Sequence, residues 1–421
     1  MLDYRFIKDN LGAVKQNIEE RGMKADADMV VELFDRRNSA LYSLENLRKR
    51  RNDSSQAMKG KLAAEDRQRL VEEGRKLKEE IAALEVTVSE LEVELKREAM
   101  KIPNMAHPDA PRGLGEQSNS EVRQVGVVPH FSFKPRDHVE LGQRLDIVDF
   151  DTATRVSGTK FYYLKNEGVI LELALVRFAL DKLKQAGFTL FITPDIAKDE
   201  ILEGIGFNPR GEESNIYGLE GTGTCLVGTA EITLGGYYAD QILDKESLPM
   251  RMAGVSHCFR REAGAAGQYA KGLYRVHQFT KVEMFAVTLP HDSERMHEEL
   301  RLIEEDIFSS LNIPFRVVDT CTGDLGAPAY RKWDLEAWMP GRGEGEWGEV
   351  TSTSNCTDFQ SRRLNVRYRD EGKTHIAHML NGTAIAVSRA IIAILENFQT
   401  EDGSVRIPSA LVPYTGFDVI S

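Results

Sequence analysis

The chain has 421 residues, 41% of them apolar, with a formal charge of −12 and a pI near 5.4. That length allows two or three domains, and that charge excludes a general nucleic-acid binder, leaving any RNA contact to local basic patches. The four cysteines, Cys225, Cys258, Cys321 and Cys356, include no close pair, which argues against a zinc site and a disulfide framework. No apolar run reaches ~18 residues, so no membrane span is expected. The opening "MLDYRFIKDN" lacks the apolar core of a signal peptide, and a cytoplasmic location is expected.

Residues 1–100 read as a helical domain. From Leu70 the apolar residues Leu70, Leu77, Ile81, Leu84, Val88, Leu91 and Leu95 recur at steps of 7, 4, 3, 4, 3 and 4, an a/d heptad seam. A looser seam, Leu33, Leu41, Leu44 and Leu47, precedes it, and "MKGKLAAED" with Gly60 lies between the two. Two long helices about a short turn predict an antiparallel coiled-coil hairpin, an arm roughly 50 Å long. Residues 48–61 carry six cations against one anion, Asp53, and form the most basic stretch of an acidic chain. Residues 101–125, beginning "KIPNMAHPDAPRGLGEQSNSE", read as a linker. Residues 126–421 mix strand and helix patterns, so the chain is α+β.

In that last segment, residues 255–262 and 274–284 both alternate in character, and Gly264, Gly267 and Gly272 mark a loop between them. The pattern predicts an antiparallel pair with Arg260, Glu262, Arg275, Phe279 and Glu283 on one face. Two cations, two anions and one flat ring suit a ligand with a phosphate, an aromatic base and an ammonium group. Three further stretches carry candidate polar residues. "LVGTAEITLGG" reads as a short strand with Thr229 and Glu231 on one face. "GEWGEVTSTSN" contains Glu349 and Ser352. In "HIAHMLNGTAIAVSRAIIAILEN" an apolar strand meets Asn381 and Gly382, and a helix then carries Arg389 in its second turn. A helix N-terminus rich in small residues favours a bound anion.

The order of these pieces resembles the class II aminoacyl-tRNA synthetases. "FRRE" with "GLYRVHQFTKVE" looks like motif 2, "NGTAIAVSR" like motif 3, and "LKQAGFTLFITPDI" like motif 1. With "TAE", "GTKFYYLKNEGVIL", "IPSALVPYTGFDVI" and an arm ahead of the core, the chain is similar over nearly its whole length to the seryl-tRNA synthetases of the common bacterial and eukaryal type. The resemblance implies an N-terminal tRNA-binding domain over residues 1–100 and a class II catalytic domain over residues 126–421, with a mostly antiparallel sheet flanked by helices. It implies ATP with Mg²⁺ and no zinc.

The resemblance also implies roles for residues. Arg260 holds the α-phosphate and the serine carboxylate, Glu262 reaches the adenine amino group, and Phe279 stacks on the adenine. Arg275 and Arg389 hold the outer phosphates, and Arg261, Val276, Val350 and Thr351 complete the ATP site. Glu349 and Ser352 carry Mg²⁺. Thr229, Ala230, Glu231, Glu283, Asn381 and Thr383 surround serine. Arg260, Glu349 and Arg389 form the catalytic set. The arm is expected to lie along serine tRNA, with Arg48, Lys49, Arg50 and Arg51 on its phosphates, and motif 1 to join two copies in a homodimer. The chain departs from the family at Gly228 and Thr233, where proline is common, and in "GQYAKG", where an Arg-Asp-Thr-Arg pattern is usual. These departures also fit a specialised second copy tolerant of a serine-analogue inhibitor. An RNA-binding paralogue without aminoacylation is the other alternative; it is expected to have lost some of Arg260, Glu262, Glu283 or Arg389, and all are present.

Overall fold

The computed structural model describes residues 1–60, 63–208, 215–262 and 272–421. The chain divides into two compact units, Met1–Pro103 and Asn104–Ser421.

The first unit opens with short helices Tyr4–Asp9 and Leu11–Glu20, followed by α1 (Ala27–Ala57) and α2 (Ala64–Ala99). Asp26 caps α1, its side chain accepting from the Met29 amide at 2.9 Å. The heptad seam is the buried stripe of the hairpin: Leu77, Ile81, Val88, Leu91 and Leu95 of α2, with Leu33 and Leu44 of α1. Ion pairs Arg37–Glu92 (2.8 Å), Arg48–Glu85 (2.8 Å) and Arg50–Glu73 (3.4 Å) follow an antiparallel register. Such part-exposed pairs contribute at most about 1 kcal/mol each, against ~1.5–3 kcal/mol for each buried Leu or Ile. The apolar seam therefore holds the hairpin together. Of the turn, Met58 to Gly60 are seen; Lys61 lies outside the described residues.

The second unit is built on an eight-stranded sheet. Its strands are β1 (Ser120–Val125), β2 (Thr189–Ile192), β3 (Met250–Phe259), β4 (Gln278–Thr288), β5 (Phe315–Asp319), β6 (Arg331–Met339), β7 (Glu346–Asn355) and β8 (His378–Ala386). Their spatial order is β1-β5-β6-β7-β8-β4-β3-β2. Every neighbouring pair is antiparallel except β2 with β3. The principal helices are α3 (Glu167–Gln185), α4 (Ala230–Gly236), α5 (Ser293–Ser310), α6 (Phe359–Leu364) and α7 (Val387–Asn397). Helix α7 is buried on nearly every side and shares one apolar core with α3, α5 and the sheet. Among the described residues no helix is long and apolar enough to cross a membrane.

Local structure departs from the sequence reading in several places. Much of the stretch read as a linker belongs to the second unit. The Asn104 side chain donates to the carbonyls of Pro328 (2.9 Å) and Cys356 (3.0 Å), and β1 is an edge strand. β4 begins at Gln278 rather than Tyr274. Leu273 and Val276 are buried and the Leu273 amide donates to His138 Nε2 (3.2 Å), so this segment turns into the interior first. "TAEITLGG" is the helix α4, not a strand, because Thr229 caps it by accepting from the Glu231 amide (3.2 Å). Asn381 and Gly382 lie within β8 rather than at its end, and Arg389 sits in the first turn of α7.

Two glycines set the sheet's close contacts. A Cβ on Gly382 would meet Thr353 Cγ2 at 2.6 Å and Glu304 Oε1 and Met284 Cε at 3.2 Å. The row Met284, Gly382 and Thr353 thus packs under α5, and the alternate row, with Glu283 and Thr383, faces the other way. A Cβ on Gly254, the residue opposite Glu283, would touch Ala230 Cβ and Leu234 Cδ1 at 3.1 Å. Its absence lets α4 close down on the sheet beside Glu283.

Candidate active site

A cleft of about 460 Å³ opens on the face away from α5, at the ends of β3, β4, β7 and β8. On one side Arg260 follows β3. Its guanidinium carbon stands 5.3 Å from the Phe279 ring centroid, and its Nε donates to the Gly228 carbonyl at 3.3 Å. Cys258 and Phe279 are cross-strand partners, so strand register alone brings Arg260 and the ring to one face. Glu262 and Val276 also line the cleft. Glu262 has φ +46°, a left-handed conformation uncommon for a non-glycine residue, and pairs with Arg275 at 3.6 Å.

On the other side Arg389 leans on Glu349 and lies 4.5 Å from the Tyr274 ring centroid. Burial works against ionising Glu349, but Arg389, Lys332 and Arg260 outweigh it and hold the carboxyl below the usual range. The β6–β7 ladder slips by one residue, leaving Val350 without a partner, and such a bulge resets the alternation of side chains. Val350 and Thr351 reach the cleft. Ser352 lies opposite Asp334, which pairs with Lys332 at 3.2 Å. Burial pushes the Asp334 carboxyl up even against that ammonium.

A recess of polar residues opens into the cleft at Thr383 and Lys281. Thr383 Oγ1 donates to Glu283 Oε2 at 3.3 Å, and Lys281 Nζ stands 2.5 Å from the same oxygen. Glu231 Oε1, from α4, accepts from Asn381 Nδ2 at 2.9 Å and Gln360 Nε2 at 2.7 Å. Burial, with Glu283 beside it, pushes the Glu231 carboxyl up to about 7. Thr229 is buried at the cap, and Ala230 is fully buried, its methyl against Gly254.

The structure thus brings Arg260, Glu262, Phe279, Glu349, Thr383 and Arg389 to one cleft, with Glu231, Glu283 and Asn381 behind them. Arg261 does not join them; it is exposed, its amide bonded to the Asn215 carbonyl at 2.9 Å. The "GQYAKG" loop up to Lys271 lies outside the described residues. A Cβ on Gly228 would make only ordinary contacts, the nearest at 3.6 Å to the Phe259 carbonyl, and Thr233 Oγ1 donates to the Ala230 carbonyl at 3.1 Å. Arg48 and Arg50 are engaged with α2, and Lys49 and Arg51 make no ion pair among the described residues. Lys281, Tyr274, Gln360 and the Lys332–Asp334 pair escaped the sequence reading. Lys281 shares strand parity with Phe279 and Glu283, which was a usable signal; the rest reach the site only through tertiary packing.

Residues 1–106 match the family model of the seryl-tRNA synthetase N-terminal domain, and residues 220–398 that of the class II tRNA synthetase core domain for Gly, His, Pro, Ser and Thr. A serine–tRNA ligase of Treponema denticola is 66% identical over 421 residues, covering all of both chains. The crystal structure of seryl-tRNA synthetase from Pyrococcus horikoshii complexed with ATP superimposes with a TM-score of 0.93 at 41% identity, covering 100% of this chain and 99% of that one. The cytoplasmic enzyme of Naegleria fowleri in complex with AMP gives 0.88 at 32%, with the same coverage. The chain belongs to the seryl-tRNA synthetase family.

Proposed function

We propose that this cleft is where the chain activates L-serine with ATP to seryl-adenylate and hands the seryl group to the 3′ end of serine tRNA. One observation carries the reading: two arginines, a flat ring and a carboxylate-lined recess converge on a single cleft. Phe279 takes the adenine, with Glu262 at its amino group. Arg260 bridges the α-phosphate and the serine carboxylate, and Arg389 with Arg275 takes the outer phosphates. Thr229, Glu231, Glu283, Asn381 and Thr383 hold the ammonium and hydroxyl of serine. The serine carboxylate attacks the α-phosphorus and pyrophosphate leaves. The nucleophile is already ionised, so the residues align the reactants and neutralise the charge that develops on the phosphate oxygens.

Among the described residues no group of three or more His, Cys, Asp or Glu could hold a metal ion. Glu349, held ionised, and the Ser352 hydroxyl fit Mg²⁺, which takes one or two protein oxygens and fills its shell with water and phosphate. Bound there, Mg²⁺ would neutralise phosphate charge. An apolar surface at the edge of the sheet supports a homodimer through motif 1. Ile192 of β2 is 90% exposed and Leu173 of α3 61%, with Val169, Ile170 and Leu190 also exposed. Lys49 and Arg51 of α1 are the cations readiest to meet tRNA phosphates. These substrates and partners support a cytoplasmic location. The test is serine-dependent ATP–pyrophosphate exchange followed by charging of transcribed serine tRNA. Exchange with alanine, glycine or threonine in preference to serine refutes the reading.

A further inference from the structure

The recess contains more negative charge than its own cations compensate. Glu283 is paired with a cation: its Oε2 receives Lys281 Nζ at 2.5 Å and Thr383 Oγ1 at 3.3 Å. Glu231 is not. Its Oε1 receives only the neutral amides of Asn381 (2.9 Å) and Gln360 (2.7 Å), and its Oε2 takes no hydrogen bond among the described residues. The charged groups facing it can be named element by element. β4 presents Lys281, already paired, and Glu283, which repels it. Beyond β3 stands Arg260, whose guanidinium is held by the Gly228 carbonyl over Phe279. From α6 comes the Gln360 amide, while Arg362 turns to Asp358 and Arg363 to the Glu203 carbonyl of the helix Asp199–Ile205. Glu231 is itself part-buried, but two carboxylates beside one bonded ammonium still cannot both ionise cheaply.

We propose that the empty recess keeps a proton on Glu231 and that the incoming serine ammonium expels it, so that the site takes up a cationic amino acid in exchange for H⁺. This rests on the serine reading above. The exchange balances: Glu231–CO₂H and R–NH₃⁺ become Glu231–CO₂⁻ beside R–NH₃⁺, and one proton leaves to solvent. The net charge of the recess is unchanged by the exchange. The carboxyl's elevation to about 7 by burial and Glu283 puts the exchange in the physiological range.

The linkage has a fixed sign. Below the pH where the empty site deprotonates, serine must displace a proton, so binding weakens as pH falls; above it, binding levels off. The dissociation constant for L-serine should rise about tenfold from pH 8 to pH 6, and about half a proton should be released per site at pH 7. Free serine keeps its own ammonium over this range. The experiment titrates the intact protein calorimetrically with L-serine at pH 6, 7 and 8, in pairs of buffers differing in ionisation enthalpy. Glycerate, with a hydroxyl in place of the ammonium, is the control and should release no proton. Glu231→Gln should bind serine more weakly at pH 8 and lose the pH dependence. Serine binding in the parent with no proton release and a flat dissociation constant overturns the proposal and leaves the substrate assignment intact, as does unchanged pH dependence in Glu231→Gln. Failure of the parent to bind serine at any of these pH values overturns the substrate assignment instead. The parent measurement needs no variant, so misfolding of Glu231→Gln does not remove the test.

Discussion

Arg389 meets Glu349 twice: its Nη1 stands 3.2 Å from the carboxylate Oε1 and donates to the backbone carbonyl at 3.0 Å. The Tyr274 hydroxyl donates to that same carbonyl at 3.1 Å. The first turn of α7, the bulged end of β7 and the segment before β4 are thus tied at one point.

Arg389→Ala should lower serine-dependent ATP–pyrophosphate exchange by about 10²–10³, the usual cost of losing one donor to developing charge. Lysine should not restore it, because it cannot reproduce the forked geometry of a guanidinium. The variant also removes the largest influence holding Glu349 down, leaving Lys332 and Arg260 against burial. The Glu349 pKa rises, so the acid limb of any residual exchange should move to higher pH. A pH–rate profile superimposable on the parent's contradicts this.

Phe279→Ala should raise KM for ATP about tenfold, since stacking of a base on an aromatic ring is worth ~1–3 kcal/mol. KM for serine should change far less, because the recess bonds to Glu283 and Glu231 do not involve the ring. Steady-state exchange kinetics with each substrate varied separately distinguish the two, and an effect confined to serine removes Phe279 from the adenine site.

Thr383→Val keeps the volume and removes the hydroxyl that donates to Glu283. A site made to hydrogen-bond a hydroxyl rejects the analogue lacking it by ~10⁴ or more. The serine-to-alanine ratio of kcat/KM should therefore collapse by at least tenfold, mainly through loss of serine activation. An unchanged ratio shows that Thr383 does not discriminate.

Reversing Lys49 and Arg51 together to Glu should weaken serine tRNA binding. The salt slope of log Kd should fall by about 1 for each tRNA phosphate that the variant no longer neutralises. Deleting residues 35–95 with a short Gly bridge should nearly abolish tRNA charging. Both variants should keep ATP–pyrophosphate exchange, because the cleft is built wholly from the second unit. Normal charging by the deletion variant excludes the hairpin as the recognition element.

Gly382→Ala forces a methyl to within 2.6 Å of Thr353 Cγ2. Overpacking of this kind costs ~1–3 kcal/mol. A lower Tm should be accompanied by weaker serine binding, because Asn381 and Thr383 flank the displaced residue. Unaltered Tm and serine affinity show that β8 can absorb the methyl.

The sequence alone determined whatever depends on local periodicity and on residues close in the chain. The heptad of Leu77 to Leu95 specified the hairpin, since burial of one stripe dominates its stability. The parity of Phe279 and Glu283 in "FTKVE" was enough to put the ring and the acid on one strand face. The class II resemblance followed from the order of such short stretches. Tertiary structure decided what depends on residues distant in sequence. Glu231 reached Asn381 only because Gly254 lets α4 settle on β3. Arg389 found Glu349, and Gln360 found Glu231, across gaps of 40 and 129 residues. Periodicity reports which way a side chain points, and only packing reports what it meets there. The charge state of the recess depends on how many carboxylates and cations converge, and so belongs wholly to the folded chain.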